Sequence, residues 1–135
     1  MKMFIPVTPI GAVRMTRRGK WTSIPAQRYL NYKSTLGYYM RKQCEIPLKG
    51  PIRLRATFYM PIPESDSKKK RAEKNGKPVT VKPDIDNLIK GLFDAANGIL
   101  WTDDKAVCEI SNVIKVYSTE PGIWLEVLAD GTESA

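Results

Sequence analysis

Histidine is absent from this chain, which removes Ser-His-Asp and Cys-His nucleophilic machinery and every histidine-based zinc site. If the chain is an enzyme, its chemistry runs on carboxylates and lysines, with or without a metal ion. Cysteine is scarce: Cys44 and Cys108 stand alone without C-x-x-C spacing. A disulfide framework and a zinc ribbon are both excluded, and the pair reads as two core thiols in a reducing cytoplasm. Long apolar runs are missing too, none approaching the roughly 20 residues that span a bilayer. The amino terminus lacks the apolar core of a signal peptide, so the expectation is a cytoplasmic protein without a membrane partner. Acid is the minority charge, with 14 Asp and Glu against 22 Lys and Arg, a net charge of +8 and a pI near 9.6. Such a field favours polyanions, and nucleic acid is the first partner to consider.

What is present fits one folded domain. A chain of 135 residues buries roughly two-thirds of the surface its unfolded form exposes. Met3 to Val7 opens as a short strand, followed by a basic loop with Pro9, Gly11, Arg14, Arg17, Arg18 and Gly19. From Pro25 to Gln43, residues Tyr29, Leu30, Lys33, Leu36, Tyr39 and Met40 recur at helical spacing, with Gly37 an unfavourable residue in the middle. "IRLRATFYM" alternates throughout: Ile52, Leu54, Ala56, Phe58 and Met60 on one face, Arg53, Arg55, Thr57 and Tyr59 on the other. That polar face is either solvated or a phosphate-contacting surface.

Pro61 and Pro63 end the strand. The stretch from Ser65 to Lys82 carries Lys68, Lys69, Lys70, Arg71, Lys74, Lys77 and Lys82 with almost no large apolar residue. It reads as a basic flexible excursion, or a short charged helix stopped at Asn75-Gly76, that builds no core. A helix capped by Asp84 or Asp86 then buries Leu88, Ile89, Leu92, Phe93 and Ala96 and stops at Asn97-Gly98. Two strands follow, about Ala106 to Tyr117 and Ile123 to Leu128, joined across the Pro121-Gly122 turn. The expected fold is a small α+β domain over residues 1–130, a mixed sheet of about four strands packed by two main helices. Residues 131–135 read as a frayed tail.

In a basic chain, the four aspartates of "KPDIDNLIKGLFDAANGILWTDD" (residues 82–104) stand out. Phosphodiester hydrolysis needs a nucleophilic water, neutralised phosphoryl oxygens and help for the leaving oxygen; magnesium held by a few carboxylates supplies all three. Asp84 and Asp86, two apart in an extended segment, lie on one face about 7 Å apart. The helix beyond them spans about 17 Å, and "GILWT" is long enough at just over 3 Å per residue to run back beside it. That return is expected to bring the Asp103-Asp104 corner to the Asp84-Asp86 corner. Lys90, one turn past Asp86, either pairs with Asp86 or Asp94 as a surface bridge or reaches a phosphate. Asp94 reads as structural.

The order D-x-D-N-L-x-K, amphipathic helix, Asn-Gly, apolar-Trp stretch and Asp-Asp resembles the signature of the RusA family of Holliday-junction resolvases, found in bacterial chromosomes and prophages. The basic amino-terminal loop, the strand ending "MPIP" and "AVCEI" agree in character. The resemblance implies a magnesium-dependent endodeoxyribonuclease of mixed α/β fold, working as a homodimer on branched DNA in recombination and repair. It also implies that Asp84, Asp86 and Asp104 are metal-binding catalytic residues, with Lys90 a catalytic lysine. In-line attack on a backbone phosphate would leave a 5′-phosphate and a 3′-hydroxyl. Two-fold symmetry of a dimer would match that of the junction. Arg14, Arg17, Arg18, Lys68, Lys69, Lys70, Arg71 and Lys82 would supply phosphate contacts.

Two other readings stand beside it. Pro83-Asp84 with Asp103-Asp104-Lys105 satisfies the P-D…(D/E)-x-K pattern of restriction-like nucleases, although an intervening helix and a corner position for the acids count against it. A non-catalytic nucleic-acid-binding module would use Arg53, Arg55 and Tyr59 as a groove and the aspartates as caps. Acids beside a basic flap would then repel phosphate unless a cation intervened.

Overall fold

The alternation at residues 52–60 becomes strand β2 (Ile52–Pro61) in the computed structural model, which describes residues 1–16 and 23–129. Arg17, Arg18 and the tail at 131–135 lie outside the described residues. Ile52, Leu54, Ala56, Phe58 and Met60 are all buried, while Arg53 and Arg55 face outward. Around β2 forms a four-stranded mixed sheet in the order β1-β4-β2-β3, with β1 at Lys2–Ile5, β3 at Val107–Ser118 and β4 at Gly122–Ala129. β4 pairs antiparallel with both β1 and β2, and β3 runs parallel to β2. A parallel neighbour requires a crossover of a dozen or more residues. Residues 62–106 provide it, and every site residue after β2 lies on that crossover.

The three-residue link at 119–121 does not make β3 and β4 neighbours, because β2 lies between them. Inward rows explain the order. Ile123, Leu125 and Val127 of β4 are as completely buried as the inward row of β2, so these two strands take the centre. β3 leaves Ile110 and Ile114 exposed and takes the edge.

Helix α1 (Ile24–Gln43) begins where Ser23 accepts the Ala26 amide at 3.4 Å and has Pro25 in its first turn. Arg41 and Lys42 complement the dipole at its end. Helix α3 (Ile85–Ala96) buries Leu88, Leu92, Ala95 and Ala96 and stops at Asn97, followed by Gly98 at φ +81°. Glycines set the close approach of α1 to α3 and to the segment that follows α3. A Cβ on Gly91 would stand 3.3 Å from the Tyr29 ring, and one on Gly37 would stand 3.2 Å from Ile99 Cδ1. Gly37 therefore gives up helix propensity for a close approach that a larger residue would open. Both helices share one core with Ile5, Leu54, Phe58, Ile123 and Leu125 on a single face of the sheet. Among the described residues, no helix is long and apolar enough to cross a membrane.

The basic stretch departs from expectation. Its helix, α2 (Lys68–Lys74), starts at the Ser67 cap and ends at Asn75-Gly76, as the sequence indicates. The chain that follows is tied to the edge of β3. The Gly76 amide donates to Tyr117 O at 2.8 Å, the Tyr117 amide to Lys77 O at 2.9 Å and the Val79 amide to Lys115 O at 3.1 Å. Val79 joins the core at 6% exposure. One apolar residue placed beside an open strand edge is enough to anchor a segment otherwise too polar to pack. The cysteines divide: Cys44 is a buried thiol, but Cys108 is exposed on the edge strand.

Candidate active site

At the amino end of α3, Asp84 occupies the N-cap position with extended backbone, and its carbonyl accepts the Leu88 amide at 3.1 Å. A capping aspartate ordinarily turns its carboxylate onto a first-turn amide. Here the side chain makes no capping bond, so the carboxylate is left for other partners. Asp86 is exposed in the first turn, where negative charge is favoured by the helix dipole.

Two contacts fix this corner. Lys115, on β3, sends its ammonium to Val81 O at 2.6 Å and to Pro83 O at 2.8 Å. From the other side, the Ala12 amide donates to Asn87 O at 3.1 Å. Gly11 lies so close that a Cβ there would stand 3.0 Å from Pro83 Cβ. A cavity of about 540 Å³ opens between residues 9–12 and Lys82, Pro83, Asp84 and Asn87. A neighbour of about 530 Å³ is lined by Arg14, Tyr29, Asn87, Lys90 and Asp94. Ala12 and Asn87 line both.

The carboxyl end of α3 is organised differently. Asp94 accepts the Tyr29 hydroxyl at 2.7 Å. Burial first, and then this bond, push the Tyr29 phenol well above its ordinary pKa. The indole of buried Trp101 donates to Asn97 Oδ1 at 2.8 Å, leaving the amide nitrogen of Asn97 for another acceptor; its nearness alone works to lower the Asp104 pKa. Asp104 also neighbours Asp103. Hydrogen bonding between the two carboxyl groups when one is protonated raises the Asp104 pKa, helped by the charges of Asp103 and Asp94, and lowers that of Asp103, which also takes the Lys105 amide.

The expected convergence of the two acidic corners is not the arrangement found. Asp104 sits beside Asn97 and within reach of the Asp94 charge, and Asp94 lies about 12 Å along the helix from Asp86. Among the described residues, no three acids gather closely enough to hold an ion together. The cause lies in "GILW". Leu100 and Trp101 are fully buried, Trp101 meets Phe93 edge-on at 5.6 Å, and the Gly98 amide bonds Trp101 O at 2.7 Å. The segment folds into the core at the helix end and does not extend back along it.

Other expected residues find mixed placements. Among the described residues, Lys90 makes no ion pair with Asp86 or Asp94 and lines the second cavity. Arg71 turns onto its own chain, donating to Ile62 O at 3.2 Å and Pro63 O at 3.0 Å, whereas Lys68, Lys69 and Lys70 are exposed on α2. Arg53 and Arg55 pair with Glu109 at 3.3 Å and Glu126 at 3.8 Å, so the outer sheet face is largely neutralised. Lys105 lies exposed on a 3-10 turn (Asp104–Ala106) before an edge strand, not on the central strand that the restriction-like pattern demands.

Sequence reasoning missed Lys115, Asn87 and Asn97. For Lys115 a signal exists: it is the charged residue in "VIKVY", in register with fully buried Phe58, and a lysine on an inward row needs a nearby acceptor. As a donor set, Asp84 and Asp86 suit a hard divalent ion. Magnesium takes one or two carboxylates and fills its remaining positions with water and substrate phosphate.

Residues 5–128 match the family described as Endodeoxyribonuclease RusA. A Bacillus subtilis relative, named only as uncharacterized protein YqaN, is 40% identical over 83 residues, covering 58% of this chain and 58% of that protein. The chain thus spans less than two-thirds of that relative's length. With the match running over nearly the whole sequence, the chain belongs to the RusA family of endodeoxyribonucleases.

Proposed function

We propose that the protein is a magnesium-dependent endodeoxyribonuclease that resolves four-way DNA junctions by paired phosphodiester hydrolysis, acting as a homodimer in recombination and repair. The observation that carries this reading is the pair Asp84 and Asp86: two exposed carboxylates at one helix start, neither engaged in capping, beside a cavity lined by Lys82. A bound magnesium ion would supply an acidified water and neutralise charge on the phosphoryl oxygens. Asp84 and Asp86 would hold it. Lys90, without an ion pair among the described residues and lining the adjoining cavity, would present its ammonium to the phosphate. Asp104 enters on the strength of the family match, since one chain keeps it at the far end of α3.

Around this centre, Arg14, Lys68, Lys69, Lys70 and Lys82 contact the DNA backbone, and Arg17 and Arg18 extend the same set. Arg71 contributes charge while its guanidinium braces the end of β2. Affinity then falls steeply with salt, because each neutralised phosphate releases counterions. Two copies related by a two-fold axis offer equal sites to opposed strands of a junction.

The test is incubation of purified protein with a synthetic four-way junction, with and without magnesium. The expected result is paired, symmetric incision only when the ion is present. Asp84→Asn and Asp86→Asn abolish incision while junction binding survives. Tight binding with no incision in any divalent metal would instead identify a non-catalytic module.

A further inference from the structure

We propose that Lys115 is a positioning residue for the Asp84-Asp86 pair: its ammonium clamps the strand-free segment 81–83 so that both carboxylates are presented together to a divalent ion. The inference rests on the metal-dependent reading above and adds to it a residue on a different element.

Three observations carry it. First, Lys115 Nζ lies 2.6 Å from Val81 O and 2.8 Å from Pro83 O, and the second oxygen belongs to the very peptide group that bears the Asp84 nitrogen. Charge-assisted bonds of this length are the strong class of hydrogen bond. Second, the segment 81–83 belongs to no helix or strand, so these carbonyls have no ladder to hold them. Third, the lysine stands in a rigid place. Its residue is in register with Phe58 on the helix-bearing face of the sheet, and its carbonyl holds the Val79 amide at 3.1 Å. A single residue therefore secures the approach to α3 through both backbone and side chain.

The physical consequence follows from how little else fixes Asp84. On the helix side, its carbonyl bonds Leu88; from the amino-terminal loop, contact arrives at Asn87 and Pro83. The direction in which the Asp84 side chain leaves the backbone is set by the peptide plane before it, and Lys115 holds that plane. Ordering two like charges side by side also costs electrostatic energy before an ion arrives, and a cation anchored one residue away offsets part of it.

The experiment compares Lys115→Met, Lys115→Arg, Asp84→Asn and Lys74→Met with the wild-type protein. Manganese binding is measured calorimetrically without DNA, junction affinity in EDTA, and folding by thermal unfolding. Lys115→Met is expected to weaken manganese binding by roughly 10- to 100-fold, the loss that follows removal of an outer partner of a ligand. Junction affinity in EDTA should stay within about twofold, and Lys115→Arg, whose guanidinium also reaches two carbonyls, should recover most of the ion affinity. Lys74→Met breaks the 2.6 Å bridge to Asp66 in the same basic stretch and should leave manganese binding unchanged. Loss of the ion in Asp84→Asn but not in Lys115→Met overturns the positioning role alone. Equal weakening in Lys74→Met and Lys115→Met overturns it too, as mere loosening of the stretch. Wild-type ion binding in Asp84→Asn overturns the metal reading and this inference with it.

Discussion

The two ends of α3 carry the same residue type in opposite conditions. At the amino end, Asp84 caps by position but not by its carboxylate and lines a cavity, and Asp86 is exposed to solvent. At the carboxyl end, Asp94 holds a buried tyrosine, Asp103 takes the Lys105 amide, and Asp104 lies beside Asp103 and Asn97. A helix dipole favours anions at its start and disfavours them at its end. Asp94, near the unfavourable end, has an internal partner in Tyr29, whereas the acids at the favourable end need none. The difference separates carboxylates open to a ligand, Asp84 and Asp86, from one that holds the fold.

Mutations sharpen that contrast. Asp84→Asn or Asp86→Asn should reduce junction incision by more than the roughly 10- to 100-fold typical of losing an outer partner, with unfolding temperature and junction affinity in EDTA unchanged. At the other end, Trp101→Ala removes a fully buried indole that packs on Phe93 and orients Asn97. A cost of about 3–5 kcal/mol is expected from urea unfolding. Next in size, Tyr29→Phe forfeits the hydroxyl bond to Asp94 and should cost about 0.5–1.5 kcal/mol, with incision intact. If Tyr29→Phe stopped incision while leaving the fold unharmed, the division between the two ends would fail.

Much of this contrast is legible in sequence. Unbroken alternation identifies β2, and the Leu88, Leu92 and Ala96 stripe with Asn97-Gly98 identifies α3, because both signals are local periodicities. The sheet order is not legible. That β4 inserts beside β2 depends on which strands have the more completely apolar inward rows, a competition between segments far apart in the chain. The path of "GILW" escapes for the same reason: its length permits a return along the helix, but burial of Leu100 and Trp101 decides otherwise. Val79 shows the limit of composition, since one valine in a lysine-rich stretch becomes core only where an edge strand is waiting for it.

The smallest expected effect concerns protons. Because Asp103 and Asp104 are adjacent carboxyl groups that hydrogen-bond when one is protonated, the proton favours Asp104, whose carboxyl titrates above the usual aspartate value while Asp103 titrates below it. Asp103→Asn removes the neighbouring charge, so the Asp104 titration should move downward when followed by carboxyl-carbon NMR. No movement would mean that the two acids do not communicate, and the carboxyl end would then resemble the amino end more than its contacts imply.

The backbone bonds joining Gly76, Lys77 and Val79 to the edge of β3 have a consequence for long-range forces. Positive charge on a free tether averages over many directions and attracts without orienting. Fastened to the sheet that also carries Lys115, the lysines of α2 become a stationary source. An approaching polyanion would then feel a torque as well as a pull.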